Sequence, residues 1–125
     1  MKRSSVLYIG LGLSLLLAIL NLLALAFYFY WTLSWYDYLM HFLGGLTLGV
    51  VMIAVLRIES HSTRGFIILF LSVMVMGGVW EVVEYMADLT DSTEPYAIDT
   101  IKDLVMDALG GGVAYYSILR SRVLT

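Results

Sequence analysis

Three short stretches carry side chains able to do chemistry in an otherwise greasy chain: Asp37 and His41 are four residues apart, Glu81 and Glu84 three apart, and Asp99, Asp103 and Asp107 follow at steps of four. On a helix, each of these spacings puts its members on one face. Carboxylates with a single imidazole form the donor set of hard or borderline divalent ions such as Mg, Mn, Ca or Fe, with Zn reachable through mixed oxygen and nitrogen ligands. Cysteine is absent, which excludes thiolate ligation, disulfides and cysteine nucleophiles. No Ser–His–Asp arrangement stands out either, which disfavours covalent serine chemistry.

The elements that must position these residues are membrane helices. Of 125 residues, 61% are hydrophobic and 14% charged, against roughly half and a quarter in a soluble domain. Runs of the length that crosses a bilayer, about 17–25 residues, predict an all-α bundle of four transmembrane helices at residues 6–30, 36–56, 65–86 and 97–119. One integral membrane domain thus fills 1–125, with no linker long enough to hold a soluble one. The opening MKRSS and the ALA at 24–26 have the outline of a signal peptide, but the apolar run exceeds the ~7–15 residues of such a segment and continues into FYFYW. Lys2, Arg3, Arg57, Arg64, Arg120 and Arg122 all fall at the termini or between the second and third expected helices. By the positive-inside rule both termini are cytoplasmic and the protein is a multi-pass protein of the plasma (inner) membrane. Tyr28, Tyr30, Trp31, Trp35, Tyr36 and Tyr38 form an outer aromatic belt, with Tyr8, Tyr115 and Tyr116 on the inner side. The net charge of −3 and the lack of a basic cluster exclude nucleic acid as a partner.

The acids lie in the outer half. At 1.5 Å per residue, Asp37, Glu84 and Asp99 sit within about 4 Å of the outer boundary, His41, Glu81 and Asp103 about 8–9 Å down, and Asp107 about 15 Å down, near mid-membrane. Each stripe also meets glycine deeper in: Gly45 and Gly49 after His41, Gly77 before Glu81, and Gly110 and Gly111 after Asp107. Small residues mark close helix packing in lipid, so the three faces describe a polar cup open outward and closed below. Six carboxylates in such a cup require positive compensation. Lys102 and a proton on His41 are too little, which points to a divalent metal held by Asp37, His41, Glu81, Asp103 and Asp107. Some of these residues also have ordinary structural roles available: Asp37 and Asp99 as helix caps, and Glu84 as an ion-pair partner of Lys102. Asp88, Asp91 and Glu94 read as solvated loop charges, His61 as a solvated loop residue, and Asn21 as a hydrogen-bond partner across helices. The match to a di-iron bundle is weak, because that design uses E-x-x-H on two helices and this chain has E-x-x-E once.

The segments YDYLMHFLGG (36–45), WEVVE (80–84) and DTIKDLVMDALGG (99–111) resemble the YjdF-type inner-membrane proteins, a family of unknown function, and more loosely the VanZ-like membrane proteins. VanZ-like chains commonly carry Lys and Asn where this one has Tyr38 and Asp107. The resemblance implies a small polytopic protein, tied in the VanZ case to glycopeptide resistance and the cell envelope, and implies no established chemistry. Three functions fit the residues. The first is a metal-dependent enzyme acting on a lipid-linked substrate from the outer leaflet, with Glu84 or Asp99 as general base. The second is a proton- or cation-coupled transporter, in which a homo-oligomer would supply the missing inner path. The third is a headgroup-binding accessory protein without catalysis.

Overall fold

The computed structural model describes residues 1–87, 89 and 94–123. Among them are only helices and connections: α1 Arg3–Ala26, a single-turn α2 Phe29–Thr32, α3 Tyr36–Val55, α4 Thr63–Met86 and α5 Tyr96–Val123. Asp88 and Asp91 lie outside the described residues.

Three helices, α1, α3 and α4, are long and apolar enough to cross a membrane. The fourth expected helix exists as the 28-residue α5, about 42 Å long at 1.5 Å per residue. Asp99, Lys102, Asp103 and Asp107 keep its composition outside the apolar class. Its acids are turned inward: Asp103 and Asp107 are buried, whereas Ile101, Val105 and Leu109 are exposed. Large apolar side chains also cover the outside of α1 (Leu15, Ile19, Leu22) and of α4 (Leu71, Val75, Val79). This surface is built to contact lipid.

In lipid, apolar burial does not drive helices together, so close backbone approach must. The α3–α5 pair is the most extensive contact in the bundle, and glycines make it. A Cβ at Gly45 would strike the Asp107 carbonyl oxygen and lie 2.6 Å from the Asp107 Cα, and one at Gly110 would strike the Phe42 carbonyl. Gly49 meets the Ala114 Cβ at the next turn. Below this crossing, Val6, Val50, Ile53, Leu69, Ile118 and Leu119 pack into an apolar core at the end that carries the termini.

The first helix is shorter than expected. It ends at Ala26 instead of running to residue 30, because Tyr28 adopts a left-handed φ of 59° and the chain turns back as α2. What stabilises the break is local: the Tyr30 hydroxyl donates to Asn21 Oδ1 at 2.8 Å, the Tyr36 hydroxyl donates to the Leu20 carbonyl at 3.0 Å, and the Tyr36 ring packs against Phe29 at a tilt and against Tyr30 edge-on. Hydropathy cannot register this, since every residue from Phe27 to Trp31 is aromatic whether the helix continues or folds over. The aromatic belt divides accordingly, with Tyr28, Trp31 and Trp35 exposed and Tyr36 buried. Asn21 does pair as expected, with α2 as the partner element.

At the other end, Ser62 caps α4 by accepting from Gly65 N at 3.0 Å. The buried Tyr115 hydroxyl accepts from the Ser62 amide and donates to the Ser62 carbonyl, both at 2.8 Å. His61 is exposed, with its ring edge against Tyr115. Tyr115→Phe therefore loses two hydrogen bonds that fasten the α3–α4 loop to α5. The expected cost is about 1–2 kcal/mol, read as a thermal midpoint about 5 °C lower in detergent; an unchanged midpoint would remove this role.

Candidate metal centre

His41 stands at the middle of the site, 5% exposed, on the α3 face turned toward α5 and α4. Four carboxylate oxygens from three helices surround its Nε2: Glu81 Oε1 at 3.6 Å, Asp37 Oδ1 and Asp103 Oδ2 at 3.8 Å, and Glu84 Oε2 at 3.9 Å. On the opposite ring nitrogen, Asp107 Oδ2 lies 3.5 Å from Nδ1. Asp99 joins through Asp37 and Asp103, with one oxygen from each of the three within 4.8 Å of the others. All seven residues singled out by spacing thus converge, Asp107 at the ring nitrogen remote from the rest.

Each position has a structural cause. Gly77 on α4 leaves room for Asp107, whose carboxylate fills the place a Cβ would take there. Glu81 is held from two sides: Thr100 Oγ1 donates to its Oε2 at 3.0 Å, and the Tyr96 hydroxyl donates to its backbone carbonyl at 3.2 Å. That leaves Glu81 Oε1 directed at His41. Spacing alone could have found Thr100 and Tyr96, since 96, 100, 103 and 107 follow one helical face. Tyr30 could not be found that way, because only the turn at Tyr28 brings it to the site. Its phenol pKa is raised by burial and by the nearby Asp37 and Glu84 carboxylates, so it stays a neutral hydrogen-bond donor.

The expected Lys102–Glu84 pair does not form. Lys102 reaches Glu94 instead, because one residue along a helix is a turn of about 100° and Asp103 already takes the inward position. Glu84 is left facing His41.

The distances around Nε2 are too long for hydrogen bonds, which need about 2.7–3.2 Å. A proton on Nε2 would in any case serve one oxygen at a time. Ligands at about 2.0–2.2 Å from a common ion lie about 3 Å apart at right angles and about 4.3 Å apart across it, and 3.6–3.9 Å falls between these limits. Two further atoms fit the same picture: Glu81 Oε1 and Asp103 Oδ1 are buried with no hydrogen-bond partner among the described residues, in residues 2% and 1% exposed. Buried carboxylate oxygens left unpaired are costly, and bound cations would satisfy them. Three trios, Asp37/His41/Glu84, His41/Glu81/Asp103 and Asp37/Asp99/Asp103, have the spacing to hold an ion.

Two cavities reach the centre. One, of about 390 Å³, is lined by Tyr30, Asp37, Glu84 and Asp99 at the end of the bundle where α2 lies. The other, of about 430 Å³, runs between α1 and α4 over α3, lined by Leu17, Ala18, Met40, Leu48 and Met76 and ending on His41, Glu84 and Asp107. It exists because α1 packs on α3 while α4 packs mainly on α5, so that α1 and α4 hardly touch each other.

No curated protein and no solved structure matches the chain. Residues 2–123, nearly the whole chain, match the family described as predicted membrane protein (DUF2238). With this match over nearly its whole length, the chain belongs to the DUF2238 (YjdF-type) family of predicted membrane proteins.

Proposed function

We propose that this protein binds a divalent metal ion in an outward-facing cup and uses it on an amphiphilic, lipid-linked substrate. The observation that carries the reading is the ring of carboxylate oxygens at 3.6–3.9 Å around His41 Nε2, with Glu81 Oε1 unpaired inside it. His41, Glu81, Asp103 and Asp37 are the ligands. Asp107, 3.5 Å from Nδ1, is placed to favour the tautomer that presents the Nε2 lone pair, a carboxylate–histidine arrangement common behind metal-bound imidazole. A bound divalent ion would supply Lewis-acid polarisation or an acidified water.

The topology that goes with this function has four spans in a single domain, α5 included, and both termini in the cytoplasm. A helix of 28 residues packed along α3, with its acids inward and its apolar residues outward, has the length and outer surface of a span. Arg57 and Arg64 flank the α3–α4 loop on the same side as Lys2 and Arg3, favouring the plasma membrane with the cup facing outward. The substrate's chain lies in the apolar cavity between α1 and α4, and its polar head meets the cup. Glu84 and Asp99, which line the cavity at the α2 end, are placed to take a proton from an attacking water.

The apolar core at the termini end weighs against transport, because a relay would need a polar path through it. A headgroup-binding protein would share the same ligands and cavity, and only turnover separates the two. The direct test is element-resolved metal content of the detergent-purified protein beside His41→Ala and Asp103→Asn. At least one equivalent of a divalent metal is expected in the wild type and a lower content in both variants. A folded wild type free of metal after purification and after incubation with Mg, Mn, Ca, Fe and Zn would refute the reading.

A further inference from the structure

Six carboxylates around one imidazole exceed what one ion uses, and the way they are shared is informative. Asp99 falls in a trio with Asp37 and Asp103 that does not contain His41, while Asp37 and Asp103 each also belong to a trio that does. We propose that the centre is dinuclear: one cation is held by His41, Glu81 and Glu84, a second by Asp99, and Asp37 and Asp103 are shared between the two. This rests on the metal reading above and revises it in one respect: Glu84 and Asp99 become metal ligands in place of proton acceptors.

The central observation is the state of Asp103. Its Oδ2 lies 3.8 Å from His41 Nε2, and its Oδ1, on the same carboxylate, is buried with no partner among the described residues. The residue is 1% exposed, so bulk water does not reach the orphaned oxygen. With Oδ2 toward His41 and Oδ1 unpaired, the carboxylate has an oxygen left for a second position, which a bridging ligand requires. Asp37 sits beside it with a one-third exposed side chain, 3.8 Å from Nε2 through Oδ1, and is the second member common to both positions.

Charge points the same way. One divalent ion offsets two of the six carboxylate charges and leaves the rest confronting each other in a buried site; a second offsets two more. Two cations about 3.5–4 Å apart form the arrangement that clamps both the attacking and the leaving oxygen of an in-line displacement at phosphorus. The class of substrate this fits is a phosphate ester on a lipid, whose anionic head would bridge the two ions while its chain occupies the apolar cavity over α3.

The test is a manganese titration of the full chain in detergent after chelator stripping, with bound Mn(II) counted by the loss of the free-ion EPR signal. Two Mn(II) per chain are expected, with the broadened spectrum of an exchange-coupled pair. Asp99→Asn and, as a second variant without the carboxamide oxygen, Asp99→Ser should each bind one Mn(II) with an isolated six-line spectrum. Saturation of the wild type at one isolated Mn(II), or two coupled ions persisting in both Asp99 variants, would overturn the dinuclear centre and leave the single-metal reading standing. A wild type that binds no Mn(II) would overturn both.

Discussion

Gly45→Ala is expected to be among the most destabilising single-methyl additions possible in this chain. The new Cβ would lie 2.6 Å from the Asp107 Cα and closer still to its carbonyl oxygen, and backbone atoms cannot rotate aside as a side chain end can. Only separation of α3 from α5 relieves the overlap, and that is the most extensive contact in the bundle. Overpacking of this kind costs about 1–3 kcal/mol, occasionally more, and here it exceeds the ~1 kcal/mol that alanine gains over glycine in a helix. Gly110→Ala should behave alike, since its Cβ would strike the Phe42 carbonyl and lie 2.6 Å from Leu46 N. Gly12 and Gly112 are the controls, because nothing lies within 4 Å of a Cβ at either; alanine there should be neutral or stabilising. Thermal unfolding of the four variants in one detergent decides the matter. If Gly45→Ala melts with Gly112→Ala, the α3–α5 crossing is not as close as described. The same variant should also lose metal, because the crossing that brings Gly45 onto Asp107 also sets His41 against Asp103.

How much of this was legible in the sequence follows from what each signal measures. Periodicity and depth place residues on helix faces, and they put His41, Glu81 and Asp103 at one level; those three form one of the trios with metal-binding spacing. The glycine stripes identified the closely packed faces for the same reason, since Gly45, Gly49, Gly77, Gly110 and Gly111 all have close neighbours at the Cβ position. Signals of this sort say nothing about rotation within a degenerate stretch. FYFYW reads identically as helix or as fold-back, so the break at Tyr28 and the arrival of Tyr30 at the cup were invisible. Ion pairing was equally hard to foresee: Lys102 and Glu84 lie within about one helical turn of each other in depth, but adjacency to Asp103 in the chain turns Lys102 outward to Glu94. Thr100 lay in plain view on the Asp99–Asp103 turn and carried no charge to attract notice, although it fixes the Glu81 carboxylate.

Metal and stability should be linked so strongly at Asp103 that the order of two variants inverts. With metal bound, wild type is expected to outlast Asp103→Asn, because a ligand present at 100 times its dissociation constant adds about 2.7 kcal/mol and one at 1,000 times about 4.1 kcal/mol. For a chain of this size that is a midpoint difference of roughly 10 °C or more. After chelation the order should reverse. The stripped wild type holds Asp103 buried at 1% exposure with Oδ1 unpaired, and an uncompensated buried charge is heavily destabilising; asparagine keeps the shape and removes the charge. His41→Ala should respond to chelator less than the wild type does, since the position that His41 completes is gone. The measurement is a set of thermal midpoints for the three proteins with and without chelator at one neutral pH. A wild type whose midpoint ignores the chelator, or one that remains above Asp103→Asn in both conditions, would mean that the cup balances its charge without a cation. An inverted order would mean that Asp103 is retained at a cost to the fold of the apoprotein, which is the mark of a residue placed for binding and not for packing.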